Sequence, residues 1–432
     1  MFKKIIDAFK TKEVRVKILL TLLFILIYRV GCYLPIPGID KVAFSGVTES
    51  NTFLSLLSSL NGGSLANGAF LALGVSPYIS ASIIIQLLSI AIPSWQKMSK
   101  EGEEGKKKMS KYTRYAALIL ALAQAIGIVI GFGDVISANA LWTGSPQWIT
   151  SLIVITVLVA GGMFTVWLGE KITEQGIGNG LSLLIFVGIL STAGFSLLLT
   201  IQNIIAGDIA SIWTLLIFMF AVVLIFGLIV FVDLAERKVP VQYAKQIKGR
   251  KMYGGQNTNI PIRVNASGVM PIIFASALLT FPQLIMSIFW PNSSAMGWFN
   301  TYMGAGSWPY IVLSSLLILF FSYFYAQITF NPDDISKQVQ QNGGFIPGIR
   351  PGKPTAEYLK KISNRVILFG AIFLAFIALV PGLIFKGISG GNYALINAFS
   401  ATGLLIVVSV ALEFDKQLEA QLLMKNYKGF LK

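Results

Sequence analysis

The chain has 432 residues, of which 55% are apolar and only 12% charged, and a formal net charge of +15. Soluble domains carry roughly 25% charged residues, and no soluble interior grows fast enough with size to hide this much apolar surface, so a soluble fold is excluded and an integral membrane protein is indicated. Histidine is absent and Cys32 is the only cysteine, which removes disulfide frameworks, the usual zinc ligand sets and Cys-His or Ser-His nucleophilic pairs; a Ser-Lys pair remains formally possible, and no cofactor is implied.

In chain order, a basic N-terminus (Lys3, Lys4, Lys10, Lys12, Arg15, Lys17) leads into an apolar stretch at 17–34. No small-residue cleavage site follows it, so it reads as a first spanning helix. After YLPIPGID comes a stub, NTFLSLLSSLNGGS (51–64), in which Phe53, Leu54, Leu56, Leu57 and Leu60 form one apolar face and Asn61-Gly62-Gly63 ends it. At about 1.5 Å per residue such a helix reaches less than halfway across the hydrocarbon. Backbone at that depth must be buried in protein or line a cavity, so the residues alone read as a re-entrant or an interfacial helix. Further apolar stretches follow at 74–92, 115–133, 148–168, 180–200, 212–232, 266–289, 309–330, 365–385 and 393–412, ten in all, each near the roughly 20 residues a span requires. Pro77 and Pro271 fall inside two of them and predict bends. GIGNG (176–180) reads as a tight turn and not as a nucleotide loop.

The charges orient these stretches. Assigned to alternate sides, 31 of the 34 Lys and Arg fall on one side, and only Arg29, Lys41 and Lys386 on the other. Positive charge accumulates in cytoplasmic loops, so the split places both termini in the cytoplasm and supports ten spans. Two sets of five would be inverted relative to each other; no sequence repeat is visible, so the count permits an inverted repeat without showing one. The expected division is an N-terminal half, 1–200, and a C-terminal half, 201–432.

The middles of the spans carry no carboxylate and no lysine, and their polar groups are mild: Gln86, Gln124, Gln283, Gln327 and Asn397. Ion- and proton-coupled carriers place ionisable groups inside the bilayer, so the pattern opposes a secondary transporter and suits a path that must not hold its cargo tightly. No GxxxxGK[ST] occurs, so energy has to come from another protein. Two long basic loops stand out. In the first, 233–265, VPVQYA and NTNIPIR can pair as a hairpin turning at IKGRK. The second, 331–365, is fixed by turns at GGFIPGIRPGKP. Long preorganised cationic loops suit an acidic partner such as ribosomal RNA or an acidic protein surface.

LGVSPYISASIIIQLL, EGEEGKKKMSKYTRY, WLGEKITEQGIGNGLSLLIF, YAKQIKGRKMYGGQNTNIPIRVNASGVMPIIFAS, FNPDDISKQVQQNGGFIPGIRPGKPT and ATGLLIVVSVALEF, in this order, resemble the SecY family, the channel subunits of the bacterial protein translocase. The resemblance covers essentially the whole chain. It implies an all-α polytopic protein of the bacterial cytoplasmic membrane, with ten transmembrane helices in two five-helix halves around a central hourglass pore. It implies no enzyme and no catalytic residue. The pore would pass unfolded secretory preproteins bearing signal sequences and release apolar segments sideways into membrane lipid. By motif, a waist of aliphatic side chains would comprise Val75, Ile79, Ile185, Ile273 and Ile406; valine at the first position departs from the pattern and makes the waist slightly wider. The stub becomes a plug beneath that ring. A lateral gate would open between the second and seventh spans, whose small residues include Gly74, Ser80, Ala81, Gly268 and Ser276, with Gln86 and Asn265 as the polar groups at the seam. Arg350, Arg250 and Lys251 would dock the motor ATPase SecA or the ribosome, and SecE-like and SecG-like small membrane subunits are the expected partners. A solute carrier, or a scaffold or insertase that anchors ribosomes without a pore, are the competing readings.

Overall fold

The computed structural model describes residues 9–39, 44–46, 58, 61–131, 146–206, 210–243, 246–248, 251–253, 258–265, 268, 270–289, 293–303, 307–388 and 401–429. Helices carry the fold. They are α1 (Lys12–Gly31), α2 (Ser76–Ala91), α3 (Pro93–Lys100), α4 (Glu103–Gly131), α5 (Gln147–Gln175), α6 (Gly180–Ile205) and α7 (Ala210–Leu234). Strands β1 (Glu236–Tyr243), β2 (Gln246–Lys248), β3 (Lys251–Tyr253) and β4 (Thr258–Arg263) separate these from α8 (Met270–Phe289), α9 (Ser294–Met303), α10 (Trp308–Thr329) and α11 (Pro332–Gln341). β5 (Gly344–Phe345), α12 (Lys353–Ile388) and α13 (Ala401–Gly429) complete the chain.

Among the described residues six helices are long and apolar enough to cross a membrane: α4, α5, α6, α7, α10 and α12. α7 shows why. It is apolar on every side, with Phe218, Ile225 and Ile229 turned inward while Trp213, Phe220 and Phe231 stay more than two-thirds exposed at 67%, 71% and 74%. A helix that is hydrophobic all round and still exposes its aromatics needs an apolar solvent.

The helices outrun the apolar stretches. α4 starts at Glu103, so the run Lys106–Lys108, Lys111 and Arg114 forms the first turns of a 29-residue helix and is not a loop. α12 starts at Lys353 and spans 36 residues. Lys, Glu and Arg are good helix formers; hydropathy marks where a helix meets lipid, not where it ends. The bends expected at Pro77 and Pro271 are corrected: Pro77 occupies the first turn of α2 and Pro271 the second position of α8. The first-turn N–H groups have no intrahelical partner, so these two prolines open their helices and break no intrahelical bond. The proline inside α8 is Pro282.

The basic loops build a three-stranded sheet and a separate two-stranded ribbon. β1 and β4 pair antiparallel, with Val239 opposite Ile260, as the sequence suggests, and β2 and β3 form the hairpin tip with Lys248 opposite Lys251. β5, from the second loop, adds to the other side of β1 and gives the order β4-β1-β5. Alternation along β1 buries Val239 and Val241 and exposes Lys238 and Pro240. The buried face packs with Ile262, Val339 of α11, Ile346 and Leu359 of α12. Asn331 caps α11, its side chain accepting from the Asp333 amide at 3.2 Å, with Asp333 and Asp334 in the first turn where the helix dipole favours them.

Candidate functional site

The apolar face of the stub, Phe53, Leu54, Leu56, Leu57 and Leu60, lies outside the described residues. The chain continues into a run of tight turns, 61–75, buried among α1, α5 and α6. Asn61 is 3% exposed and its amide donates to the Ala72 carbonyl at 3.0 Å. Its own carbonyl accepts from the Tyr28 hydroxyl at 3.5 Å, and the Ser64 hydroxyl donates to the Leu71 carbonyl at 3.1 Å. Ser58 binds the turn twice: its carbonyl accepts from the Gly63 amide at 2.7 Å and its hydroxyl from the Ala66 amide at 3.2 Å. Two glycines are required here. Gly62 (φ +69°) presses on Gly188 of α6, where a Cβ would meet the Gly188 Cα at 3.0 Å. Gly74 (φ +53°) lies against the Asn61 carboxamide, which a Cβ would overlap. Arg29 donates to the Gly62 carbonyl at 3.4 Å and to the Tyr33 hydroxyl at 3.2 Å, with its guanidinium 5.4 Å from the Tyr33 ring centroid.

The five aliphatic residues meet. Val75, at the start of α2, Ile185 of α6 and Ile406 of α13 are buried in one cluster, and Ile79 and Ile273 pack against it. They come from chain positions more than 300 residues apart. Tyr28, Cys32 and Leu71 belong to the same cluster, so the turns after the stub seat directly on it.

A polar cavity of about 670 Å³ opens at the end of the bundle that carries the basic loops. Lys17, Tyr78, Arg114, Glu170, Glu174 and Glu413 line it together with Leu181, which packs against the aliphatic cluster. Arg114 of α4 and Glu170 of α5 pair at 2.7 Å in its wall. The loop between α5 and α6 forms its rim as a tight turn: Gly178 has φ +94° and Asn179 caps α6 by accepting from the Ser182 amide at 3.4 Å. Its Ile177 amide donates to the Thr21 hydroxyl of α1 at 3.2 Å. Nothing in the sequence converges Glu170 and Glu413, because that depends on how α4, α5 and α13 lean together.

At the expected seam the polar pair is divided. The Gln86 side-chain carbonyl of α2 accepts from the Tyr325 hydroxyl of α10, whereas the Asn265 amide donates to Asp233, at the end of α7, at 2.6 Å. Ser276 bonds back to the Ile272 carbonyl within α8 at 2.7 Å, and Ser80 is half-buried on α2. α2 packs mainly on α4 and touches α8 lightly. α10 bridges them from behind: Phe274 of α8 meets the Tyr325 ring edge-on at 5.1 Å. Arg350 is exposed in the turn between β5 and α12, its carbonyl accepting from the Thr355 hydroxyl at 2.8 Å. Arg250 lies outside the described residues, and the described backbone of Lys251 opens β3.

A family model described as SecY matches residues 69–414. The chain belongs to the SecY family. Relatives in that family include the protein translocase subunit SecY of Mycobacterium tuberculosis, 41% identical over 453 residues with 100% of each chain covered. That of Streptomyces galbus is 42% identical over 439 residues with 98% of each covered. Among solved structures, a protein-conducting channel superposes with TM-score 0.67 at 19% identity, covering 94% of this chain and 92% of that one. A structure in which the plug domain of the SecY protein stabilizes the closed state of the translocation channel and maintains a membrane seal gives 0.66 at 17% identity, with the same coverage. Sec61 in a canine ribosome–channel complex gives 0.60 at 17% identity, again covering 94% and 92%. At these identities the solved structures establish a shared SecY-type fold.

Proposed function

We propose that this protein is the gated, passive channel through which unfolded secretory polypeptides cross the bacterial cytoplasmic membrane, releasing apolar segments sideways into lipid. The observation that carries the reading is the convergence of Val75, Ile79, Ile185, Ile273 and Ile406 on one apolar cluster beneath a polar cavity. An aliphatic constriction excludes ions by dewetting and can close around a passing chain without hydrogen-bonding to it. A polar mouth lets a hydrated chain approach that constriction. Ten spans in two inverted halves, with both termini in the cytoplasm, would place the cavity and the basic loops on the side from which substrate is delivered.

In this reading the stub at 51–64 plugs the outer side of the ring, anchored through Asn61 and Arg29. The gate opens where α2 and α8 touch lightly. Arg350, with Arg250 and Lys251, docks SecA or the ribosome, and SecE-like and SecG-like subunits brace the halves. The test is site-specific crosslinking of a stalled secretory chain. Probes at Ile79 and Ile273 should capture the chain, and a probe at lipid-facing Phe220 should not. Absence of capture at both ring positions would leave a ribosome-anchoring scaffold as the better reading, and solute uptake without precursor or motor would favour a carrier.

A further inference from the structure

Asp233 is one residue from the end of α7, where the helix dipole disfavours a carboxylate. Its two oxygens go to two different elements. Oδ1 accepts from the Asn265 amide, in the turn between β4 and α8, at 2.6 Å; Oδ2 accepts from the Ser409 hydroxyl of α13 at 3.3 Å. The neighbouring backbone repeats the first tie, the Val264 amide donating to the Ala235 carbonyl at 3.0 Å. Each tied segment carries a ring residue. Ile273 is in the first turn of α8, and Ile406 is three positions before Ser409, one turn along α13. The Asn265 carbonyl oxygen is buried and finds no partner among the described residues, so the amide's remaining bond to Asp233 is what holds this turn through its side chain.

We infer that Asp233 is a positioning residue of the seal: it clamps the base of α8 to α13 and so fixes two of the five ring residues in the closed arrangement. The inference rests on the pore reading for the identity of the ring, but its test reads ions in the absence of any precursor. A carboxylate acceptor binds more strongly than a neutral one, and losing such a bond from one side of an equilibrium shifts it by roughly tenfold or more.

The full-length chain, with the small membrane subunits that copurify, is reconstituted into phosphatidylethanolamine–phosphatidylglycerol vesicles, and halide permeability is measured at rest. Asp233→Ala and Asn265→Ala should each raise it roughly tenfold, and the double variant should leak no more than the leakier single one. Ser409→Ala, which breaks the longer bond, should leak less. Asp233→Asn keeps an oxygen to accept from Asn265 and should restore most of the seal, which a general packing defect would not allow. Because Asn265→Ala cuts the same bond from the other side, misfolding of one variant does not decide the outcome. If Asp233→Ala and Asn265→Ala are as ion-tight as the parent while precursor still crosslinks to Ile273, the clamp is wrong and the channel reading stands. If precursor never crosslinks to Ile273 but the leak pattern holds, the clamp stands and the channel reading falls. A leak in Asp233→Asn equal to that of Asp233→Ala would also overturn it.

Discussion

Replacing Gly74 by alanine should loosen the turns behind the stub, and the size of the effect follows from two contacts. Gly74 has φ +53°, and left-handed backbone costs an L-residue about 1–2 kcal/mol. The new Cβ overlaps the Asn61 carboxamide. Relief requires Asn61 to move, which takes its amide off the Ala72 carbonyl, 3.0 Å away in a buried site. A buried acceptor left unpaired costs about 1–3 kcal/mol. Together these give about 2–5 kcal/mol. Asn61→Ala removes every overlapping atom and also the bond, so alone it should cost about 1–3 kcal/mol, and close to nothing once Gly74→Ala is present. The assay is thermal unfolding of the four members of this double-mutant cycle, purified in detergent. Strictly additive losses, or a Gly74→Ala variant within about 0.5 kcal/mol of the parent, would refute the argument.

Thr21→Val should destabilise the chain by about 1–3 kcal/mol in the same unfolding assay by stranding the Ile177 amide, and Thr21→Ser should recover most of the loss. Arg29→Met removes the donor to Gly62 and should raise resting halide leak about fivefold, as the loss of about 1 kcal/mol of anchoring predicts. Arg350→Glu should cripple motor-dependent export in inverted vesicles without changing thermal stability, because the side chain is exposed and only its carbonyl serves the fold. Deleting 53–61 should give a channel that leaks ions and still exports; an ion-tight deletion would remove the plug role.

Hydropathy located the long apolar helices, because a run of some twenty apolar residues has few other solutions, and the VPVQYA–NTNIPIR pairing was legible as a hairpin, whereas the short helices α3, α9 and α11 were not. Helix ends were not legible. The charged first turns of α4 and α12 carry no hydropathy signal, and a proline in an apolar run looks the same whether it starts a helix or interrupts one. The ring came from family resemblance, since Val75, Ile79, Ile185, Ile273 and Ile406 are unremarked among many aliphatics until packing brings them together. The polar partners were the least readable. Gln86 and Tyr325 are 239 positions apart, and Arg114 and Glu170 are 56 apart; nothing local to either member names the other. The addition of β5 to β1 was equally hidden, because a two-residue strand has no periodicity to read.

That addition has a mechanical consequence. β1 begins two residues after α7 ends, β4 finishes two residues before Asn265, and β5 leads through the Arg350 turn into α12. The apolar underside of the sheet is continuous with α11 and α12. The platform is therefore a yoke and not two separate loops. A load applied at Arg350 falls on a sheet whose central strand leaves the end of α7 and whose edge strand leads into the first turn of α12. In the proposed docking role, a partner seated there would lean on the helices without reaching into the membrane.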